Sequence, residues 1–136
     1  MKQQGLTPEQ RSDLVAYRFE RAHETLAEAK YLREGQYYNA AINRLYYCCF
    51  YAASGLLVSR GIQALTHDGV KTMLSKEFVR TGLLEVEHGS TFGDLFNRRH
   101  SSDYDDYVYN DAATVDYLMP RAEAFIDALQ KLVALS

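Results

Sequence analysis

The ten-residue segment NRRHSSDYDD combines side chains that hold phosphate groups with side chains that transfer protons. The guanidinium of Arg99 can donate paired N–H bonds to a phosphate, and the imidazole of His100 titrates near neutral pH. If one helix runs through the segment, Arg99 and Asp103 lie four residues apart on one face, so that Asp103 orients the guanidinium. His100 and Tyr104 share another face in the same way. The segment predicts either a cationic, proton-transferring site or a helix end held by solvated ion pairs.

The aspartates of this segment raise a rival hypothesis, a site for a divalent cation. Asp103, Asp105 and Asp106 are close enough in sequence to ligate Mg²⁺ or Ca²⁺ through their oxygens. The adjacent arginines argue against this site because they already neutralise the carboxylates, and the spacing differs from that of an EF-hand loop. His67 also lacks partners at the spacing of a zinc site. We therefore expect neither a metal nor a cofactor.

A second polar group surrounds Arg44, the only charged residue in the otherwise apolar segment 35–59. A charge inside an apolar helix has to be paired or has to face a cavity. Asn43 and Tyr47 lie four residues apart on one helical ridge beside it. Two interpretations follow: a structural arginine paired with a carboxylate of another helix, or a polar stripe that lines a groove.

Hydrophobic periodicity predicts the helices that position these groups, and no segment shows the sustained alternation of a strand. The second predicted helix is apolar nearly all round, which is typical of a central helix, and its tyrosines favour a core role over a base-stacking platform. We predict an all-α fold, an up-and-down antiparallel four-helix bundle with an additional short helix, in one domain over residues 1–136. The predicted helices cover about residues 8–34, 37–59 and 68–81, then about 90 into the NRRHSSDYDD segment, and finally from a cap at Asn110 to about 135.

Composition limits the classes of function. The chain of 136 residues has a formal net charge of −3, so any contact with nucleic acid has to be local rather than the work of a global basic field. Cys48 and Cys49 are neighbours in a predicted helix, which excludes a disulfide between them and suits a reduced, cytoplasmic protein. The N-terminus has no apolar leader, and the most apolar run, 45–58, is too short to span a bilayer. We expect a cytoplasmic protein without membrane contact.

Three segments occur in a fixed order between two predicted amphipathic helices: AAINRLYYCCFYAASGLLVSRG, then TH, then LFNRRHSSDYDDY. Together they resemble the HEPN domain, the higher eukaryotes and prokaryotes nucleotide-binding domain, over about residues 8–135. The resemblance is closest to short stand-alone prokaryotic members with an Arg-x-x-x-Asp-Tyr motif. It implies an α-helical bundle that forms homodimers. It also implies a toxin, often a metal-independent endoribonuclease, that is paired with a minimal nucleotidyltransferase antitoxin.

The resemblance assigns roles within the segment that bears the motif. Arg99 matches the signature arginine, and Asp103 and Tyr104 match the Asp-Tyr pair. The family's usual histidine, four to six residues after the arginine, is absent, which leaves His100 or Tyr104 to transfer protons. Arg99, His100, Asp103 and Tyr104 are therefore the candidate catalytic residues. In some related pairs the antitoxin adds AMP to a tyrosine beside the motif, so Tyr104 is also the candidate for modification.

The resemblance extends to the second and third helices. Asn43 and Arg44 match polar positions that the family tends to keep on its second helix, and His67 matches a histidine often found at the start of the third. With Arg98 and Tyr47, Asn43 and Arg44 form the candidate binding set for RNA or a nucleotide.

The missing histidine keeps two other functions open. The chain could be a non-catalytic module that binds a nucleotide or a separately encoded nucleotidyltransferase. It could also be a structural dimerisation domain in which the motif forms only ion pairs.

Overall fold

The computed structural model describes residues 5–104 and 110–135, with side chains for residues 5–99 and 110–135. Helices dominate these ranges, and no strand occurs within them, which confirms the all-α prediction of a four-helix bundle with one additional short helix. The long helices are α1, α2, α4 and α5, and the short one is α3, which a π-helical turn at Ser75–Val79 extends. The bounds are α1 Pro8–Glu34, α2 Tyr38–Ser59, α3 His67–Leu74, α4 Val86–Tyr104 and α5 Ala112–Ala134.

A capping box fixes the start of α1. The Thr7 hydroxyl accepts a hydrogen bond from the Gln10 backbone N–H at 3.0 Å, and the Gln10 side-chain carbonyl accepts one from the Thr7 N–H at 3.0 Å. Pro8 occupies the first turn, where its missing N–H has no helical partner to lose. An apolar stripe of α1 then faces the core, formed by Val15, Phe19, Ala22, Leu26 and Ala29.

Helix α2 is the centre of the bundle because it packs against all four other helices. Its nearly uncharged sequence explains this position, since a helix that is apolar all round stabilises the fold only when several neighbours cover it. Gly55 lets α1 approach, although the contacting atoms are the Phe19 ring and the Arg18 Cβ rather than backbone. Cys48 and Cys49 are buried free thiols, as the sequence predicts.

Two predicted boundaries are corrected by the structure. Helix α4 begins at Val86, about one turn earlier than the sequence predicts. The cap of α5 is Asp111 rather than Asn110: the Asp111 carboxylate accepts hydrogen bonds from the Thr114 backbone N–H at 2.9 Å and hydroxyl at 2.8 Å. Asn110 is instead engaged by side chains of α2 and α4. No helix in the described part of the chain is long and apolar enough to cross a membrane.

Candidate functional site

Tyr46 lies where α2, α3 and α4 meet. Its side chain is fully buried, and its ring contacts Phe92 and Phe96 of α4 at centroid distances of 5.7 and 6.1 Å. The hydroxyl reaches the other way, to the Nδ1 atom of His67 at 2.7 Å. Burial raises the pKa of the Tyr46 phenol, against the opposing effect of the Arg99 charge. Tyr46 therefore keeps its proton at neutral pH and can serve as a fixed hydrogen-bonding partner.

His67 is the first residue of α3, because Thr66 rather than His67 caps that helix through a 2.9 Å bond from the Gly69 N–H. Its half-buried ring stacks on Phe50 with a centroid distance of 4.4 Å. Burial and then the positive charge of Arg99 lower the pKa of the imidazole, while Asp68 acts in the opposite direction. His67 therefore begins the helix rather than capping it or lying in the preceding loop.

Arg99 reaches from α4 onto the aromatic rings of α2. Its guanidinium carbon lies 5.1 Å from the centre of the Tyr46 ring and 5.8 Å from that of Tyr47, within the range of cation–π attraction. The His67 ring lies 5.7 and 5.8 Å from the centres of the same two rings. Arg99 and His67, which are 32 positions apart in sequence, thus meet around one pair of tyrosines. The arrangement places a fixed positive charge beside an imidazole.

Arg44 has the carboxylate partner on another helix that the first interpretation of its segment requires. Its guanidinium forms an ion pair with Glu28 of α1 at 3.5 Å and donates to the Asn43 side-chain carbonyl at 2.7 and 3.2 Å. It also lies 5.2 Å from the centre of the half-buried Tyr47 ring. Because the Arg99 guanidinium approaches the same ring, Tyr47 connects the polar group on α2 with the signature arginine.

A series of cation–aromatic pairs continues on both sides of Arg99. The rings contact one another from Tyr51 through Tyr47 and Tyr46 to Phe96. Each ring has a cationic side chain 4.7 to 5.2 Å from its centre, a distance typical of cation–π contacts. We call this set the cation–aromatic surface: Arg21 on Tyr51, Arg44 on Tyr47, Arg99 on Tyr46 and Lys71 on Phe96.

Arg98 makes a different set of contacts from its neighbour Arg99. It donates to Asp94 one turn earlier at 2.8 Å and to the Asn110 side-chain carbonyl at 3.1 Å. Asn110 in turn donates hydrogen bonds from its backbone and side-chain N–H groups to the side-chain carbonyl of Asn39 in α2, at 2.7 and 3.0 Å. This network joins α4, the start of α5 and α2. Through these hydrogen bonds Arg98 holds the part of α4 that contains Arg99 against the start of α5.

The structure does not describe the side chains of several residues that the sequence predicts for the site. The α4 backbone extends to Tyr104, but the side chains of His100, Asp103 and Tyr104 are not among those described. Asp105 and Asp106, the other members of the rival cation site, lie outside the described residues altogether. The roles of these five residues stay predictions from the sequence.

The sequence did not predict the hydrogen bond between Tyr46 and His67. The two residues are 21 positions apart, and no periodicity connects α2 with the start of α3 across the intervening loop. The only available signals were the TH pair itself and its match to the resembled family. The pairing depends on how α3 packs against α2, which is a property of the tertiary structure.

The family sequence model described as "HEPN domain" matches residues 15–132 of the chain. The chain belongs to the HEPN domain family. A UPF0332 protein of Thermotoga maritima is 34% identical to this HEPN chain, with 91% of the chain and 94% of the relative covered. A Methanocaldococcus jannaschii protein named "putative toxin" is 30% identical over 82% of the chain and 76% of its own length. A second one with that name is 33% identical over 81% of each.

The crystal structure of an archaeal HEPN homologue has a TM-score of 0.72 against this HEPN chain at 21% sequence identity. The match covers 88% of the chain and 97% of the homologue. At this level of identity the likeness shows the fold alone.

Proposed function

We propose that this HEPN chain is the toxin component of a toxin–antitoxin pair and acts as a metal-independent endoribonuclease with Arg99 at the centre of its site. The observation that carries the proposal is the position of Arg99, held over Tyr46 and Tyr47 beside the imidazole of His67. The names of the two Methanocaldococcus jannaschii relatives support the toxin assignment.

The chemistry follows from the charge that develops during cleavage of an RNA strand. The ribose 2′-hydroxyl attacks the neighbouring phosphorus, and negative charge accumulates on the phosphate oxygens in the transition state. A guanidinium that donates to these oxygens stabilises that charge more than it stabilises the substrate, which lowers the barrier. Arg99 is proposed for this role, and the expected product ends are a 2′,3′-cyclic phosphate and a 5′-hydroxyl.

The cation–aromatic surface supports RNA as the substrate class. The chain has a net charge of −3, so attraction of a polyanion has to come from locally clustered cations. Tyr47 and Tyr51 are half-buried rather than fully buried, and we propose these two tyrosines as the contacts for a base. Stacking on aromatic rings beside arginines is a common and sequence-tolerant way to bind single-stranded RNA.

The test is cleavage of labelled single-stranded RNA by the purified protein in EDTA, compared with Arg99→Ala. We expect the wild-type chain to produce fragments with cyclic-phosphate ends and Arg99→Ala to be nearly inactive. Arg121→Ala is the matched control, since that guanidinium also lies over a tyrosine, Tyr117, but belongs to α5 outside the cation–aromatic surface. Absence of cleavage by the wild-type chain, or cleavage that survives Arg99→Ala, would refute the ribonuclease proposal.

One observation favours a second function. The three positions 103–105, four to six residues after the signature arginine, hold Asp, Tyr and Asp rather than the family's histidine. A chain without catalytic activity would instead be a homodimeric module that binds a nucleotide or a nucleotidyltransferase partner. Its signature would be tight binding of such a partner, measured by calorimetry, by a wild-type chain that does not cleave RNA.

Replacement of Tyr104 by phenylalanine tests the proposed silencing by AMP transfer. If a nucleotidyltransferase antitoxin modifies this hydroxyl, Tyr104→Phe should still inhibit growth when expressed, but co-expression of that antitoxin should no longer relieve the inhibition. Mass spectrometry of the co-expressed wild-type chain should show one added AMP on the peptide that contains Tyr104. Tyr117→Phe is the control, and unchanged silencing of Tyr104→Phe would show that another residue is the target.

A further inference from the structure

We propose that His67 is the general base of this site and that Tyr46 positions it, an inference that rests on the proposed ribonuclease function. The histidine expected after the signature arginine is absent from the sequence, but the fold brings another histidine to that arginine from a different helix. Arg99 and His67 lie against the same two rings, those of Tyr46 and Tyr47.

The surroundings of His67 fix the orientation of its ring. The Nδ1 atom is bonded to the Tyr46 hydroxyl at 2.7 Å, and stacking on Phe50 at 4.4 Å holds the plane of the ring. Among the described residues, none forms a hydrogen bond with the opposite nitrogen, Nε2. A general base at Nε2 requires the tautomer in which Nδ1–H donates to the Tyr46 oxygen, because this tautomer leaves the lone pair of Nε2 unprotonated, and we assign it to the active protein.

The protonation state of His67 also suits a base. The groups that face it are the phenols of Tyr46 and Tyr47 from α2, the guanidinium of Arg99 from α4, and the neighbouring carboxylate of Asp68 in α3. The combined effect of burial and the Arg99 charge exceeds that of Asp68, so the pKa of the imidazole lies below its ordinary value. At neutral pH His67 is therefore mostly uncharged and able to accept a proton.

The reaction step can be written with its atoms in balance. Nδ1–H donates to the Tyr46 oxygen, and Nε2 takes the proton of the ribose 2′-hydroxyl. The 2′-oxygen then bonds to the adjacent phosphorus while Arg99 holds a phosphate oxygen. The bond from phosphorus to the 5′-oxygen breaks, its electron pair stays on that oxygen, and water protonates it. His67 afterwards releases its proton to solvent, which restores the neutral imidazole.

The experiment measures RNA cleavage in EDTA as a function of pH for the wild-type chain, His67→Ala, His67→Gln and Tyr46→Phe. We expect His67→Ala and His67→Gln to lower kcat by about 100-fold or more, with little change in KM, and to abolish the fall in rate at acidic pH. In the wild-type chain this fall should have its midpoint below about 6.5, the ordinary pKa of histidine. Added imidazole should partly restore His67→Ala by occupying the space of the lost ring.

Tyr46→Phe distinguishes positioning from packing. This variant keeps the buried ring and loses only the hydroxyl bonded to Nδ1, so it should lower kcat with little change in KM, while the fall in rate at acidic pH persists with a shifted midpoint. An unchanged kcat and pH profile in this variant would refute the positioning role of Tyr46. His23→Ala is the control, because His23 is an exposed histidine of α1 bonded to Gln130 at 2.9 Å, outside the cation–aromatic surface. Circular dichroism of each variant establishes that it is folded.

The outcomes separate this inference from the function on which it rests. Cleavage that depends on Arg99 but keeps the wild-type rate and acidic limb in both His67 variants would overturn the role of His67 and leave the ribonuclease proposal intact. A wild-type chain that cleaves no RNA would overturn both. Loss of the acidic limb together with rescue by imidazole would establish His67 as the base, since a purely structural role produces neither effect.

Discussion

Arg99→Ala is expected to slow RNA cleavage by about 100- to 1,000-fold, the range found when one donor to a developing negative charge is removed from an active site. The loss should appear mainly in kcat, because the interaction strengthens as charge moves onto the phosphate in the transition state. In the described part of the chain, the contacts of Arg99 with the Tyr46 and Tyr47 rings are cation–π contacts worth about 1 kcal/mol.

Arg99→Lys refines this expected result. Lysine keeps the positive charge but lacks the paired N–H geometry of a guanidinium, so its rate should fall between those of the wild-type chain and Arg99→Ala. The dependence of RNA binding on salt should become weaker in Arg99→Ala by about 0.7 in the logarithmic slope, which corresponds to one lost phosphate contact on a single strand. Equal rates for Arg99→Lys and the wild-type chain would reduce the role of Arg99 to that of a simple positive charge.

The fold was largely predictable because helical signals are local. The capping box of Thr7 and Gln10, the apolar stripe of α1 and the nearly uncharged α2 each lie within one segment. The start of α4 was missed because residues 86–89 include a glycine and form no apolar stripe of their own. The choice of Asp111 over Asn110 as a cap depended on tertiary contacts, since Asn110 bonds with Asn39 and Arg98.

The site was predictable only in part, because its residues come from three helices. Arg99 could be named from its segment and from the resemblance. That its guanidinium lies over Tyr46 and Tyr47, and that His67 shares these rings, depends on the packing of α3 and α4 against α2. Tyr46 combines two roles that sequence reasoning treats as alternatives. It is a fully buried core residue, as the sequence favoured, and its hydroxyl also holds a candidate catalytic group.

Gly55→Val is expected to lower the free energy of unfolding by about 3 kcal/mol, the largest effect on stability among the predictions made for this chain. A Cβ built on Gly55 would lie 2.8 Å from a Phe19 ring carbon and 3.2 Å from the Arg18 Cβ. The Phe19 ring is itself buried, so it cannot swing into solvent, and α1 has to move away from α2. Urea unfolding followed by circular dichroism measures the change as a lower midpoint.

Gly93→Ala is the matched control for this substitution. Gly93 also lies within a helix, α4, but a Cβ built on it meets no atom within 4 Å. The higher helix propensity of alanine should therefore raise the stability by about 0.5–1 kcal/mol. If both variants were stabilised, the space between α1 and α2 at Gly55 would be large enough for a side chain, which would contradict this prediction. The opposite signs that we expect would show that Gly55 is needed for contact between the two helices, whereas Gly93 only weakens its own helix.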